Sequence, residues 1–161
     1  MPIVQKIAPC LWFDFNGEEA VTFYTSVFKN SRILRTAHYL KDGHAPEGTV
    51  MVIEFELEGV KLVALNGGPH FKFTEAISLM IECKDQAEID YYWNALLEGG
   101  GEPGPCGWLK DRFGLSWQIY WSPAIKMYTD PDQEKANGAF QALMKMGKIE
   151  IATLQNAFDG K

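Results

Sequence analysis

The sequence is poor in the residues that build cofactor and metal sites. It has three histidines and three cysteines in 161 residues. Cys10, Cys83 and Cys106 form no CxxC pair. An odd cysteine count without that spacing excludes a disulfide framework and points to a reducing, cytoplasmic setting. No P-loop, GxSxG elbow or HExxH motif occurs. The run "GGGEPG" at 99–104 formally satisfies GxGxxG. It follows a helical pattern and precedes a strand, the reverse of a dinucleotide-binding loop, so it reads as a helix C-cap and connecting loop. No cofactor is therefore expected. A basic stripe is also missing: the net charge is −6 with both signs mixed, which excludes nucleic acid as a partner because phosphate binding needs a cationic face. No apolar run approaches a membrane span, and the start "MPIVQKIAPC" shows neither an apolar leader core nor a cleavage site. The expectation is a cytoplasmic chain without membrane contact.

What is present is apolar and aromatic. Hydrophobic residues make up 47% and aromatic residues 13% of the chain, enough for a packed core. Residues 7–15, "IAPCLWFDF", alternate as a strand, with Leu11, Phe13 and Phe15 opposite Cys10, Trp12 and Asp14. Asn16 stands where a helix N-cap belongs. Ala20, Phe23, Tyr24, Val27 and Phe28 then recur at the spacing of one buried helical face. Strands are expected over 32–40, 49–58 and 60–66, the last two joined by the turn Glu58–Gly59.

The pattern then restarts. Residues 77–83 read as a strand, Asp85 as a cap, and Ile89, Tyr92, Trp93, Leu96 and Leu97 as a second helical face. The offset is 69 residues, seen in Ala20 against Ile89 and Asn16 against Asp85. Shorter strands follow at 106–110 and 115–121. The unit is βαβββ, used twice, with the second copy compressed. The expected organisation is a single domain over 1–122, built from modules at about 5–68 and 75–122, and a C-terminal helical extension over 123–161. Within that tail, "SPAIKMYTDPDQ" reads as a linker, Asp130 as the cap of a helix with Pro131 in its first turn, and "KIEIATLQNAF" as a second short helix.

The segments "APCLWFDFNGEEAVTFYTSVFKNSRI", "LNGGPHFKFTEAIS" and "GWLKDRFGLSWQI" resemble the PhnB-like family of the glyoxalase, or vicinal oxygen chelate, superfamily, whose members are often labelled demethylubiquinone methyltransferase-like. The resemblance spans residues 5 to about 155. It implies an α+β fold in which tandem βαβββ modules form a cupped half-barrel sheet of the glyoxalase/bleomycin-resistance type, commonly as a homodimer.

The superfamily's metalloenzymes carry ligands near the start of each module's first strand and on its last strand. Here those slots fall at Ile7–Pro9, Val63, Ala76–Ser78 and Gln118, so no metal site is expected. A glutamine oxygen is neutral and binds a cation weakly without carboxylate company. Gln118 instead reads as a hydrogen-bonding wall residue, sharing a strand face with Tyr120, opposite Trp117, Ile119 and Trp121. Cys106, Trp108 and Lys110 share a face if 106–110 is extended. The turn Lys110–Asp111–Arg112 reads as charged and solvated. His38 and His44 flank a water-facing turn. His70, on the "NGGP" loop, is a ligand contact or general base, since imidazole titrates near neutrality. Cys106 is a nucleophile candidate only with a base or positive field beside it. Glu54 lies on the polar side of its strand, facing either cavity or solvent.

The candidate catalytic residues are thus His70 and Cys106. The candidate ligand contacts are Trp12, Glu54, Asn66, His70, Trp108, Lys110, Gln118 and Tyr120. The leading reading is a metal-independent protein whose aromatic cup takes a small planar or amphipathic molecule. The alternatives are a glyoxalase- or dioxygenase-type metalloenzyme with a displaced site built from His70, Glu54 or Cys106, the methyltransferase of the family label, and a structural dimer whose own side chains fill the cup.

Overall fold

A computed structural model describes residues 5–161; residues 1–4, where the expected first domain and the leader reading begin, lie outside the described residues. The protein is mixed α+β, with eight strands and five helices among the described residues. It divides into two compact units between Lys72 and Phe73.

The first unit runs β1 (Cys10–Phe13), α1 (Gly17–Val27), β2 (Ser31–His38), β3 (Val50–Leu57) and β4 (Val60–Asn66). Its sheet order is β1-β4-β3-β2, with β1 parallel to β4 and the other pairs antiparallel. Alternation in β3 and β4 sends Ile53, Phe55, Leu57, Leu62 and Ala64 to the face covered by α1. The helix answers with Ala20, Val21, Phe23, Tyr24 and Val27, and the Tyr24 and Phe55 rings stack at 6.4 Å. Burying one such aromatic side chain stabilises the fold by roughly 2–3 kcal/mol. The β3–β4 turn holds Glu58 and Gly59 both in the left-handed region (φ 48° and 81°), the conformation that matches the twist of a two-residue hairpin. Glu58 tolerates it because its N–H donates to the Asn30 carbonyl at 2.7 Å and its carboxylate accepts from the Asn30 N–H.

The second unit repeats the design as β5 (Leu79–Glu82), α2 (Gln86–Leu97), β6 (Glu102–Pro103), β7 (Trp108–Lys110) and β8 (Ser116–Tyr120), in the order β5-β8-β7-β6. Again the first strand lies parallel to the last. Ile89, Trp93 and Leu96 of α2 are buried, as are Leu109, Trp117 and Ile119 on the sheet. Asp85 caps α2 as the sequence predicts: its carboxylate accepts from the Glu88 N–H, and Glu88 reaches back to the Lys84 N–H.

Several sequence expectations are corrected. Strand β6 is missed, because two residues ending in proline carry no alternation; as an edge strand it tolerates Pro103. The strand expected from Cys106 begins only at Trp108, since Cys106 adopts φ 56° and sits in a turn. Asn16 occupies the N-cap position of α1 but makes no side-chain cap bond. Asn66 does that work from the end of β4, its Oδ1 accepting from the Gly17 N–H at 2.9 Å. The offset of 69 holds for the helices, whereas the first strands are offset by 70. Cys10 pairs with Val63 and Met80 with Gln118, because the second unit has one residue fewer between first strand and helix. The first-strand slot of the second unit therefore shifts from 76–78 to 77–79.

The tail packs within the second unit. The expected linker contains α3 (Pro123–Tyr128), whose opening proline suits a first helical turn. Helix α4 (Gln133–Leu143) is capped by Asp132, not Asp130. The Asp132 carboxylate accepts from the Glu134 and Lys135 N–H groups, while Asp130 accepts from the Asp132 N–H. Helix α5 (Ile151–Phe158) crosses α4 at Gly138, where a Cβ would stand 2.5 Å from the Ala157 carbonyl. The Gln86 amide bonds both the Ile149 carbonyl and the Ile151 N–H, and Lys148 pairs with Asp90 at 2.6 Å. No helix among the described residues is long and apolar enough to cross a membrane.

Candidate functional site

Each sheet turns one face to its own helix, so chemistry is available only on the other. In the first unit that face carries Trp12, which alternates with the buried Leu11 and Phe13. The Trp12 indole N–H donates to the Gly68 carbonyl at 2.8 Å. Its ring meets Phe71 edge-on at 4.8 Å. The ring also lies so close over Gly67 that any Cβ there would collide with it, which explains the glycine in "NGGPH". Trp12, Phe15, His44, Gly68, Pro69 and His70 surround a pocket of about 360 Å³. His70 thus borders this pocket. His44 is exposed, as read from the sequence, and borders the same pocket.

Two other candidates of this unit are committed elsewhere. Asn66 is 2% exposed. Its amide nitrogen donates to the Val50 carbonyl at 3.0 Å, its amide oxygen holds the start of α1, and its backbone carbonyl accepts from the Tyr39 hydroxyl at 2.7 Å. Placed as a ligand contact from sequence, it is instead a buried joint between β4, β3 and α1. Glu54 pairs with Arg35 and, at 3.3 Å, with Lys61, and the hydrogen bond from Arg35 holds its carboxyl below the usual carboxylate range.

In the second unit Gln118 and Tyr120 stand on the face away from α2. Gln118 Nε2 donates to Ser78 Oγ at 2.8 Å. Tyr120 approaches Glu82 at 3.4 Å; desolvation first, and then the Glu82 charge, push its phenol up. Trp108 is the register partner of Gln118. Lys110 is ion-paired with Glu75. Cys106 does not join them. Its thiol points at the Leu143 carbonyl at 3.6 Å and at Met144 Sδ at 3.9 Å. Those neighbours lie at the end of α4, and neither is a base that could activate a thiol.

The cysteines offer a direct check. Cys10 is exposed, whereas Cys83 is buried and its thiol is pushed up to about 12, by burial first and then by Glu88, Asp85 and Glu82. With iodoacetamide at pH 8, peptide mapping should show Cys10 alkylated in the native protein and Cys83 only in denaturant. Native alkylation of Cys83 ahead of Cys10 would contradict this packing.

Sequence reasoning missed Asp111. It is 3% exposed, not a solvated turn residue. Its Oδ1 accepts from the Phe113 and Leu115 N–H groups, and its Oδ2 from the Trp117 indole N–H at 2.8 Å. It pins the β7–β8 turn that sets the height of Gln118. The signal available was Asp followed by Gly three residues on, a turn motif that does not reveal burial.

The donor set at the slots is neutral. Val63 and Gln118 face Cys10 and Met80 across the parallel pairs, and Gln118 is bonded to Ser78. Among the described residues no group of three or more His, Cys, Asp or Glu side chains is placed to hold a metal ion.

Comparison with known proteins supplies a context for this geometry. The family described as 3-demethylubiquinone-9 3-methyltransferase matches residues 5–120. A PhnB protein from Bacillus cereus, described as a 3-demethylubiquinone-9 3-methyltransferase, is 34% identical, with a TM-score of 0.64 over 73% of this chain and 99% of its own. A Pseudomonas aeruginosa protein is 22% identical, with a TM-score of 0.60 over 73% and 98%. The fosfomycin resistance protein FosX from Listeria monocytogenes, solved with Mn(II) and sulfate, is 12% identical, with a TM-score of 0.52 over 74% and 90%. No curated protein matches the chain.

Proposed function

The chain belongs to the PhnB-like family described as 3-demethylubiquinone-9 3-methyltransferase, within the glyoxalase superfamily, and from that premise we propose that it binds a small planar or amphipathic molecule without a divalent metal. The observation that carries this reading is the Trp12 pocket. A ring fixed by the Gly68 carbonyl and by Phe71 forms its wall, with His44 and His70 at its edge. Apolar concavity with a few polar groups suits a ligand of that kind, and the imidazoles would meet an acidic or hydroxyl substituent.

The donor chemistry does not fit the manganese that FosX carries. A divalent first-row cation wants imidazole or carboxylate, and the corresponding positions here hold alanine, valine, serine and glutamine. The methyl transfer named in the family description finds no glycine loop in strand–loop–helix order, since Gly99–Gly101 lead out of α2 into β6.

Thermal unfolding of chelator-stripped protein tests the reading, with Mn²⁺, Zn²⁺, S-adenosylmethionine and the planar probe 1-anilinonaphthalene-8-sulfonate added separately. A site filled to a hundred times its dissociation constant adds about 2.7 kcal/mol and raises the midpoint by several degrees. The naphthalene probe should do so and quench tryptophan emission, and Trp12→Leu should remove both effects. A comparable shift with either ion, abolished by His70→Ala, or with S-adenosylmethionine, would overturn the proposal.

A further inference from the structure

The second unit holds a separate cavity of about 440 Å³, lined by Glu75, Glu102, Pro103, Pro105, Trp108, Lys110 and Ser116, among others. It lies wholly within residues 75–116 and does not involve Trp12. Its floor contains an unusual atom. Ser116 is 1% exposed, and its hydroxyl is buried without a hydrogen-bond partner among the described residues. A buried hydroxyl left unpaired costs about 1–3 kcal/mol, and native proteins rarely leave one so without a reason. A ligand group reaching into this cavity would supply the missing bond.

The register arranges the remaining chemistry. Glu102, Lys110 and Ser116 are consecutive partners across β6, β7 and β8, so they form one row on the face away from α2. Adjacent strands are about 4.8 Å apart, which places Glu102 and Ser116 at opposite ends of a row roughly 10 Å long. Lys110, between them, is neutralised by its ion pair with Glu75. Of the lining charges, that leaves the Glu102 carboxylate in excess. Trp108 adds an aromatic wall, whose ring favours a cation over its face, and Pro103 and Pro105 add apolar surface.

We propose that this cavity binds a small organic cation: an ammonium group beside Glu102 at the β6 end, where the prolines add apolar surface, an aromatic or apolar middle against Trp108 of β7, and a hydroxyl or similar polar group at the far end bonded to Ser116 of β8. An anion is disfavoured, because it would have to displace Glu75 from Lys110 while facing Glu102. This site is independent of the Trp12 pocket, and either can fail without the other.

The test is isothermal titration of the full chain with tyramine, phenethylamine and 3-(4-hydroxyphenyl)propionate. Tyramine should bind about tenfold more tightly than the propionate and about fivefold more tightly than phenethylamine. Glu102→Gln, at an exposed position on an edge strand, should weaken both amines. Ser116→Ala should erase the difference between tyramine and phenethylamine and leave the unliganded protein at least as stable. Trp12→Leu should change none of these affinities. Equal or tighter binding of the propionate would overturn the proposal in favour of anion capture by Lys110. So would amine affinities indifferent to Glu102→Gln and Ser116→Ala, or an absence of amine binding to the folded wild-type chain.

Discussion

Asp111→Ala is expected to lower the unfolding free energy by about 3–5 kcal/mol and the thermal midpoint by roughly 10 °C. The carboxylate accepts three hydrogen bonds, from the Phe113 and Leu115 backbone and from the Trp117 indole, and it is 3% exposed. Alanine would leave all three donors in a space that water reaches poorly, and an unpaired buried donor carries its full desolvation penalty. The loss should concentrate where Asp111 acts. Trp117 packs with Leu109 under α2, so the variant should loosen the β7–β8 turn and redden the emission of that tryptophan. Asp111→Asn should fall between, since an amide keeps one acceptor and turns its nitrogen toward another donor. Lys110→Ala, which removes only a half-buried, solvent-screened ion pair with Glu75, and Arg112→Ala, at an exposed position, should change stability little. Chemical denaturation followed by tryptophan emission ranks the four variants. A drop for Asp111→Ala no larger than for its neighbours would mean the turn is held by its backbone alone.

That turn also shows why some of the molecule is legible in the sequence and some is not. The βαβββ repeat can be read because its signals are local and periodic. Ala20 to Phe28 and Ile89 to Leu97 each mark a helical face, and Met51 to Leu57 alternate. The Asp85 cap is legible for the same reason, its partner being three residues away. The roles of Asp111 and Asn66 are not, because a turn aspartate and a strand-end asparagine look solvated until tertiary contacts close over them. The separation of Cys106 from the face of Trp108 and Lys110 is hidden for a related reason. The extended backbone that would align it with Trp108 and Lys110 gives way to a left-handed turn held by the tail, through the Met146 and Gly147 carbonyls. In the Trp12 pocket, Trp12 is visible from the alternation of the first strand and His70 from the "NGGPH" motif, whereas His44 joins from a distant loop that no local pattern connects to them. Ser116 was hidden by its chemistry: a serine in a strand carries no signal until its hydroxyl proves to have no partner among the described residues.

Asn66→Ala should destabilise the protein by about 2–4 kcal/mol, while Asn16→Ala should stay within about 0.5 kcal/mol, the reverse of what capping rules applied to the sequence predict. Asn16 occupies the cap position, but its exposed side chain makes no cap bond, and the backbone carbonyl that accepts from Ala20 survives the substitution. Asn66 holds the Gly17 N–H and the Val50 carbonyl with one buried amide. Gly17 leaves room for it, since a Cβ there would stand 2.7 Å from the Asn66 amide oxygen. Alanine at position 66 therefore orphans a donor at the positive end of α1 and an acceptor on β3 together. Asn66→Asp separates the two halves of the joint. The carboxylate keeps the Gly17 bond and adds a charge favoured at a helix N-terminus, but it loses the donor to Val50 and sets a negative charge against that carbonyl, so an intermediate loss is expected. Because Asn66 leads directly into the Gly67–Gly68 segment on which Trp12 lies, Asn66→Ala should also broaden the response of the Trp12 pocket to the naphthalene probe at temperatures well below unfolding. Urea titrations of the three variants decide the matter. Equal losses for Asn16→Ala and Asn66→Ala would show that the local cap forms in solution and that Asn66 is not the joint on which α1 and the pocket loop depend.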